Sequence, residues 1–450
     1  MIHKFEKFGN YIVLDVNSGS VHVVDELTFK LLDFFKDGDI DLDAAEVLTE
    51  KFTKEEILET CGEIKELIKA GTLFSEDWHD EIAKKERRDP VVKAMCLHVA
   101  HDCNLRCKYC FADKGAYEGE TGLMSLETGK KAIDFVIKSS GKRKNIEIDF
   151  FGGEPLMNFD TTCSILEYAK AEGEKHGKNF RFTITTNGLL LDDKKLDYIN
   201  KNMSNIVLSI DGRKEVNDRV RVRADGTGSY DSIVDKFKKV ADSRNQDNYY
   251  VRGTYTGYNK DFAADVLHLA DLGFKQISIE PVVAAPEVDY SLKEEDLPKL
   301  FEEYDKLAEE MRKRNKEGHG FNFFHFMIDL TGGPCALKRV SGCGAGCEYV
   351  AVTPEGDIYP CHQFVGKKEY KMGSVWDGSF DREKSEEYAK INVYTKEACK
   401  DCFAKFYCSG GCLASSANYA GGIDKPYKIA CELERKRVEC ALALEVEKLQ

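Results

Sequence analysis

The sequence predicts an α/β protein whose largest part, residues 93–290, is a parallel sheet of six β/α units wound as an incomplete barrel or an open sheet. The first observation behind this is alternation. Apolar, β-branched runs at Met95–Ala100, Ile146–Phe151, Phe180–Thr185, Ile206–Ile210, Tyr250–Tyr255 and Gln276–Val282 are separated by stretches of helical period. Those stretches include Leu126–Lys138, Thr161–Lys175, Tyr230–Val240 and Phe262–Leu272. The second is spacing: the units recur every ~30 residues, enough for a strand and a crossover helix. The third is that residues suited to chemistry fall just after these strands. Parallel sheets place their sites on the loops at the C-terminal strand ends.

The flanking elements follow in order. Tyr11–Leu14 and Val21–Val24 are short alternating strands joined across Asn17-Ser18-Gly19. Helices follow at Glu26–Phe35 and Glu55–Lys69, the second with Ile57, Leu58, Ile64, Leu67 and Ile68 on one face. A hairpin with two or three short helices predicts a winged-helix-like module over residues 1–80. Residues 81–92, charged and poor in apolar side chains, read as a linker. Residues 291–334 form a bridging helical region, opened by the charged helix Leu292–Lys316. Residues 335–450 are dense in cysteine and glycine, with a hairpin over 348–360.

Composition narrows the function. At 450 residues, 42% hydrophobic and 32% charged, the chain has an ordinary globular make-up with room for two or three domains. No apolar run approaches the ~20 residues of a membrane span. The start, MIHKFEKFGNYIVLDV, shows no secretory leader, so a cytoplasmic location is expected. Lys and Arg number 65 against 79 Asp and Glu, and the resulting −14 disfavours nucleic-acid binding. Cysteine is the anomaly. There are sixteen, none between 164 and 334 and ten from Cys335 onward. A disulfide scaffold is short and secreted; clustered thiols in a long intracellular chain bind metal or do redox chemistry.

After the first strand of the large sheet comes CNLRCKYC, with Cys103, Cys107 and Cys110. Three thiolates on one loop hold three irons of a [4Fe–4S] cube and leave one iron open, whereas a zinc loop normally wants four ligands. The second strand ends in FFGGEP. Gly152 and Gly153 leave room for a ligand, and Glu154 and nearby carbonyls suit an ammonium group. The fourth ends in LSIDG, with Ser209 and, further on, Arg221, a hydroxyl and a cation suited to a ribose and a carboxylate.

Together, CNLRCKYC, FFGGEP and LSIDG resemble the radical S-adenosylmethionine (SAM) enzymes over residues 93–290. The resemblance implies a partial (β/α)6 TIM-like barrel. It also implies a cube whose open iron chelates SAM, and reductive cleavage to a 5′-deoxyadenosyl radical that abstracts hydrogen from substrate. Carried over, Cys103, Cys107 and Cys110 hold that cube. Tyr109, Gly152, Gly153, Glu154, Ser209, Arg221 and Val283 line the cofactor site.

The C-terminal thiols run Cys343, Cys347, Cys361, then Cys399, Cys402, Cys408 and Cys412 in a CX2CX5CX3C run, then Cys431. This is similar to the SPASM extension of radical SAM enzymes, which implies two auxiliary [4Fe–4S] clusters. Cys399, Cys402, Cys408 and Cys431 would hold one; Cys343, Cys361 and Cys412 the other, with Cys347 or an open site as fourth ligand. Zinc is the competing occupant of this region. Cys61, Cys96, Cys163, Cys335 and Cys440 read as buried apolar residues, with Cys335 also a ligand candidate.

Residues 1–80 carry 8 Lys and Arg against 19 Asp and Glu, a balance that repels DNA and suits a basic peptide docked beside the hairpin edge. The order of parts resembles the thioether-forming maturases of SCIFF (six-Cys-in-forty-five) peptides. That implies a Cys-rich precursor whose leader residues 1–80 bind, a flavodoxin or ferredoxin as electron donor, and Cys sulfur-to-carbon crosslinks. Formylglycine-forming sulfatase maturation and carbon–carbon crosslinking are the enzymatic alternatives; an iron–sulfur electron carrier and a zinc-stabilised regulator are the non-enzymatic ones. The sulfatase-maturing relatives place Asp after the second SPASM cysteine, where this chain has His362. His98 and His101 read as packing and loop residues.

Overall fold

The structure, a computed structural model, describes residues 1–36, 38–85, 91–117, 119, 121–330 and 336–449. Cys335 and residues 86–90 of the predicted linker lie outside the described residues. The chain opens on a three-stranded antiparallel sheet in the order β1 (Ile2–Lys7), β2 (Asn10–Asp15), β3 (Val21–Val24), one strand more than the predicted hairpin. The first strand is hard to see because all its residues but Glu6 are half-buried, so no polar face alternates with an apolar one. Helix α1 (Lys54–Lys69) starts on a capping box in which Thr53 and Glu56 satisfy each other's backbone N–H groups. Its Ile57, Cys61 and Ile64 pack with Val13, Leu27 and Leu31 in one small core.

Six parallel strands follow: β4 (Ala94–His101), β5 (Asn145–Gly152), β6 (Asn179–Thr186), β7 (Asn205–Ser209), β8 (Tyr249–Tyr255) and β9 (Gln276–Pro281). Each pairs with the next, so sheet order follows chain order. The crossovers carry α2 (Leu126–Ser139), α3 (Phe159–His176), α4 (Asp193–Asn202), α5 (Tyr230–Ser243) and α6 (Phe262–Asp271). Helix α4 is absent from the sequence prediction because it buries only Leu196 and Ile199, too thin a stripe to register as periodicity. Strand β4 is buried along seven of its eight residues and reads as a continuous apolar run, as expected for a sheet covered on both faces.

The sheet does not close on itself. Beyond β9 it ends on the short β10 (Asn322–Phe323). On its other side β4 pairs in parallel with β11 (Tyr349–Val352), which pairs antiparallel with β12 (Asp357–Tyr359). The hairpin of the cysteine-rich region is thus an extension of the large sheet. Helix α7 (Leu297–Lys316) begins five residues after the predicted Leu292, behind a 3-10 turn at Glu294–Asp296. The last helix, α8 (Lys428–Leu449), packs on α7 and on the N-terminal sheet. Among the described residues no helix is long and apolar enough to cross a membrane.

Candidate active site

The loop after β4 is held in place by the backbone at the C-terminal end of the short helix Lys214–Val220 and just beyond it. Arg106 N–H donates to the Val222 carbonyl at 2.7 Å and Lys108 N–H to that of Val220 at 3.0 Å. So anchored, Cys103, Cys107 and Cys110 line a cavity of about 250 Å³ at the C-terminal ends of the strands. Tyr109, Gly152, Gly153, Ser209, Arg221 and Val283 line the same cavity. The Cys103 sulfur accepts from Leu105 N–H at 3.4 Å and from the Asn187 amide at 3.7 Å. Burial pushes the Cys103 thiol up to about 12 and that of Cys107 to about 11. Three thiols on one cavity wall are the donor set that a cube with one open iron takes. Among the described residues no three His, Cys, Asp or Glu side chains converge on one metal ion. A four-iron cube is larger than an ion and takes its ligands further apart.

The glycine pair has a different reason from the one the sequence suggests. Gly152 sits at φ +123°, and a Cβ there would lie 2.2 Å from the Ala100 carbonyl oxygen. A Cβ on Gly153 would lie 2.2 Å from the Asp102 carbonyl oxygen and 3.1 Å from Cys103 Cβ. The glycines let β5 close against the backbone that launches the cysteine loop, so they shape the ligand loop first. Glu154 does not line the cavity. It is fully buried, and its carboxylate accepts from Thr186 Oγ1 at 2.7 Å, Asn187 N–H at 2.8 Å and Leu156 N–H at 3.0 Å. Through these bonds the Glu154 carboxylate fixes the turn after β6. That turn carries Asn187, which reaches Cys103.

Arg221 reaches the cavity in company. Its Nε lies 2.9 Å from Asp211 Oδ1, and Tyr109 donates its hydroxyl to Asp211 at 2.7 Å. Thr254 N–H donates to the same carboxylate at 2.9 Å. Asp211, in the LSIDG motif, is the centre of this wall and sequence reasoning passed over it. Asn187 was missed as well, although it follows the third strand directly, as the residues read after the first, second and fourth strands follow theirs. Arg252, Glu280 and Gln363 also line the cavity unforeseen; their signal was a charge inside each of two otherwise uncharged strands and the residue after His362.

His362 lines the cavity too, in contact with Phe151 and Phe111, and burial holds its imidazole down at about 4. It reaches there because β12 runs directly into Cys361 and His362. His98 and His101 both lie in β4, not in a loop, with His98 Nδ1 3.0 Å from His101 Nε2.

The C-terminal thiols fall into two neighbourhoods. Burial raises Cys361 above an ordinary thiol, and the charges of Cys412 and Cys343 add to it. Burial also raises Cys408, together with Glu434, Cys431, Cys399 and Cys402. The structure therefore brings together 343, 361 and 412 in one place and 399, 402, 408 and 431 in another. Buried Cys347 donates its thiol to the Gly344 carbonyl at 3.3 Å. Lys396, 1% exposed, donates to the Gly410 carbonyl at 2.8 Å, inside the loop that links the two neighbourhoods. Of the remaining thiols, Cys61, Cys96 and Cys440 are buried, while Cys163 is half-buried.

The sheet and the cysteine loop at its strand ends have the fold of a radical SAM domain. The radical SAM superfamily model matches residues 97–273, and the SPASM iron–sulfur cluster-binding domain matches residues 343–403. The chain is a radical SAM protein with a SPASM extension. Among relatives, a cysteine-type anaerobic sulfatase-maturating enzyme of Clostridium perfringens (strain 13 / Type A) is 24% identical over 72% of this chain and 89% of its own length. The antilisterial bacteriocin subtilosin biosynthesis protein AlbA of Bacillus subtilis (strain 168) is 23% identical over 79% of this chain and 74% of its own. The structure of anSMEcpe with bound AdoMet superposes with a TM-score of 0.66 at 21% identity, covering 79% of this chain and 95% of that one. Streptococcus suis SuiB bound to precursor peptide SuiA gives 0.52 at 16% identity, over 92% and 95%. These two structural likenesses show the fold.

Proposed function

We propose that this chain is a peptide-modifying enzyme that matures a ribosomally made Cys-rich peptide by forming intramolecular thioether crosslinks. The observation that carries the reading is the cavity at the strand ends, where the three thiols of the CX3CX2C loop face Ser209, Arg221 and the β5 turn. In this reading Cys103, Cys107 and Cys110 hold a SAM-binding cube, Cys399, Cys402, Cys408 and Cys431 a second, and Cys343, Cys361 and Cys412 a third. When bound there, SAM and the first cube would supply the hydrogen-abstracting radical chemistry. The chain's own part is to bind and orient. The Asp211–Arg221–Tyr109 group fixes one wall, the Gly152-Gly153 turn fixes the cysteine loop, and apolar walls from Phe111, Phe151 and Val283 limit water. Residues 1–80 serve as the leader-binding module, with the edge strand β3 as the docking edge, and a flavodoxin or ferredoxin delivers electrons. AlbA is a subtilosin biosynthesis protein and SuiB has been solved bound to a precursor peptide, which supports the peptide class.

The test is anaerobic incubation of the iron-loaded protein with SAM, a reductant and a Cys-rich peptide encoded beside it. We expect 5′-deoxyadenosine, a mass loss of two hydrogens per crosslink, and cysteines protected from alkylation. A second reading, formylglycine formation, draws on the sulfatase-maturating relative. It predicts instead a carbonyl that reacts with a hydrazide. Cofactor cleavage absent with every peptide would leave an electron carrier.

A further inference from the structure

We infer that Arg252 and Glu280 form a clamp that holds the reacting residue of the peptide in extended conformation; this rests on the peptide-modifying reading above. The two side chains project from neighbouring strands, with Arg252 opposite Ser278 and Thr254 opposite Glu280, so both face the cavity. Arg252 Nε donates to Glu280 Oε1 at 3.0 Å and Nη2 to Oε2 at 2.8 Å, a bidentate pair. Burial would raise the Glu280 carboxyl, but Arg252 overrides it and holds it at about 2.

An ion pair made only for stability would be sealed or would sit on the outer surface. This one lies inside the cavity with 44% of the Arg252 side chain and 34% of the Glu280 side chain accessible. Two guanidinium N–H groups serve the pair and the others remain; each carboxylate oxygen keeps a lone pair. Unspent donors and acceptors therefore stand side by side.

Their net charge is zero, so the complement is a dipole, not an ion. A residue in extended conformation presents its N–H and its C=O on the same edge, as one strand does to its antiparallel neighbour. Arg252 donates to that C=O and Glu280 accepts from that N–H, and the Cα–H is left on the opposite edge. The position suits the role. Arg252 is the register partner of Ser209 on the cofactor-facing strand β7, and His362 and Gln363 of the cysteine-rich region close the other side of the same cavity.

The test compares the full-length, iron-loaded protein with a double variant, Arg252→Leu with Glu280→Leu, which removes both members of the pair and leaves neither charge without its partner. Glu280→Gln, which keeps the shape, guards against misfolding of the double variant. The readouts are KM and kcat for the Cys-rich peptide, the ratio of 5′-deoxyadenosine released to crosslinks formed, and the SAM dissociation constant by equilibrium dialysis. Hydrogen bonds to charged groups are strong enough that we expect peptide KM to rise tenfold or more in the double variant and severalfold in Glu280→Gln. The ratio rises as badly held peptide escapes, and the SAM constant stays within twofold. Peptide KM and ratio equal to the parent's in both variants would overturn the clamp alone. A SAM constant weakened as much as the peptide KM would overturn it by placing the pair in the cofactor's own site. A parent protein that alters no peptide would sink the peptide reading itself.

Discussion

Asp211 shows how one residue organises the cofactor wall. Tyr109, Arg221 and Thr254 come from three separate segments and meet on its carboxylate. Arg221 is 12% exposed in its side chain, so its charge depends on that partner. Asp211→Asn should destabilise the protein by about 3 kcal/mol, since removing one member of a buried pair leaves the other uncompensated. Urea unfolding measures it; a change below about 1 kcal/mol would mean the wall relaxes around the loss. Gly153→Ala makes a second case. Its Cβ would press on backbone, not on a flexible side-chain end, so a loss of about 1–3 kcal/mol is expected, together with reduced iron retention after reconstitution. Colorimetric iron analysis beside a thermal melt checks both. At this scale the sequence was legible where identity alone carries chemistry. Cys103, Cys107 and Cys110 declare themselves by spacing. Asp211 and Glu154 do not, because a carboxylate's role depends on which donors the fold brings to it.

Among the elements, β4 carries the heaviest load. It launches the cysteine loop, pairs with β5 on one side and with β11 on the other, and buries His98 and His101. Burial lowers both imidazoles, His101 to about 4. The sign follows from the proton count. Between pH 6.5 and 4 the unfolded chain binds a proton at each histidine and the folded chain does not, so stability falls as pH drops through that window. For His101 alone the loss approaches about 3 kcal/mol. Urea unfolding at pH 7 and pH 4.5 reads it, and His101→Gln should flatten the difference. An equal pH dependence in that variant would assign the loss elsewhere. The six strands were readable from sequence because β-branched and aromatic residues recur along each, continuously in β4 and largely at alternate positions in the others. The junction of β4 with β11 was not, since nothing local in Tyr349–Val352 says which edge it will join.

Over the whole molecule the main departure from the sequence concerns residues 1–80. Composition and element order suggest a separable module, yet its sheet shares a core with the C-terminal helix. Ile12 packs with Ala443 and Val446, and Leu14 and Val16 pack with Val438 and Leu442. His3 meets Glu439 at 3.0 Å, and Lys405 meets Asp77 at 2.9 Å. Partners more than 300 positions apart leave no trace in local periodicity, which is why the docking was illegible. Ile12 and Leu14 are fully buried and Val16 is 3% exposed. Stripping their cover from α8 forfeits on the order of 5 kcal/mol, at about 1.5–3 kcal/mol for each buried aliphatic side chain. Deleting residues 1–80 should therefore lower the thermal midpoint and raise binding of a hydrophobic dye, besides weakening any leader affinity. If the truncated chain melts like the parent, the shared core contributes little and the module is separable after all. Leader binding is better probed at the rim. Val23 is 46% exposed on the edge strand β3, so Val23→Lys leaves the shared core intact and places a charge on the docking edge. We expect peptide affinity to fall by tenfold or so with the melting temperature unchanged, read by fluorescence anisotropy of a labelled leader; unaltered affinity would move the leader site off this edge.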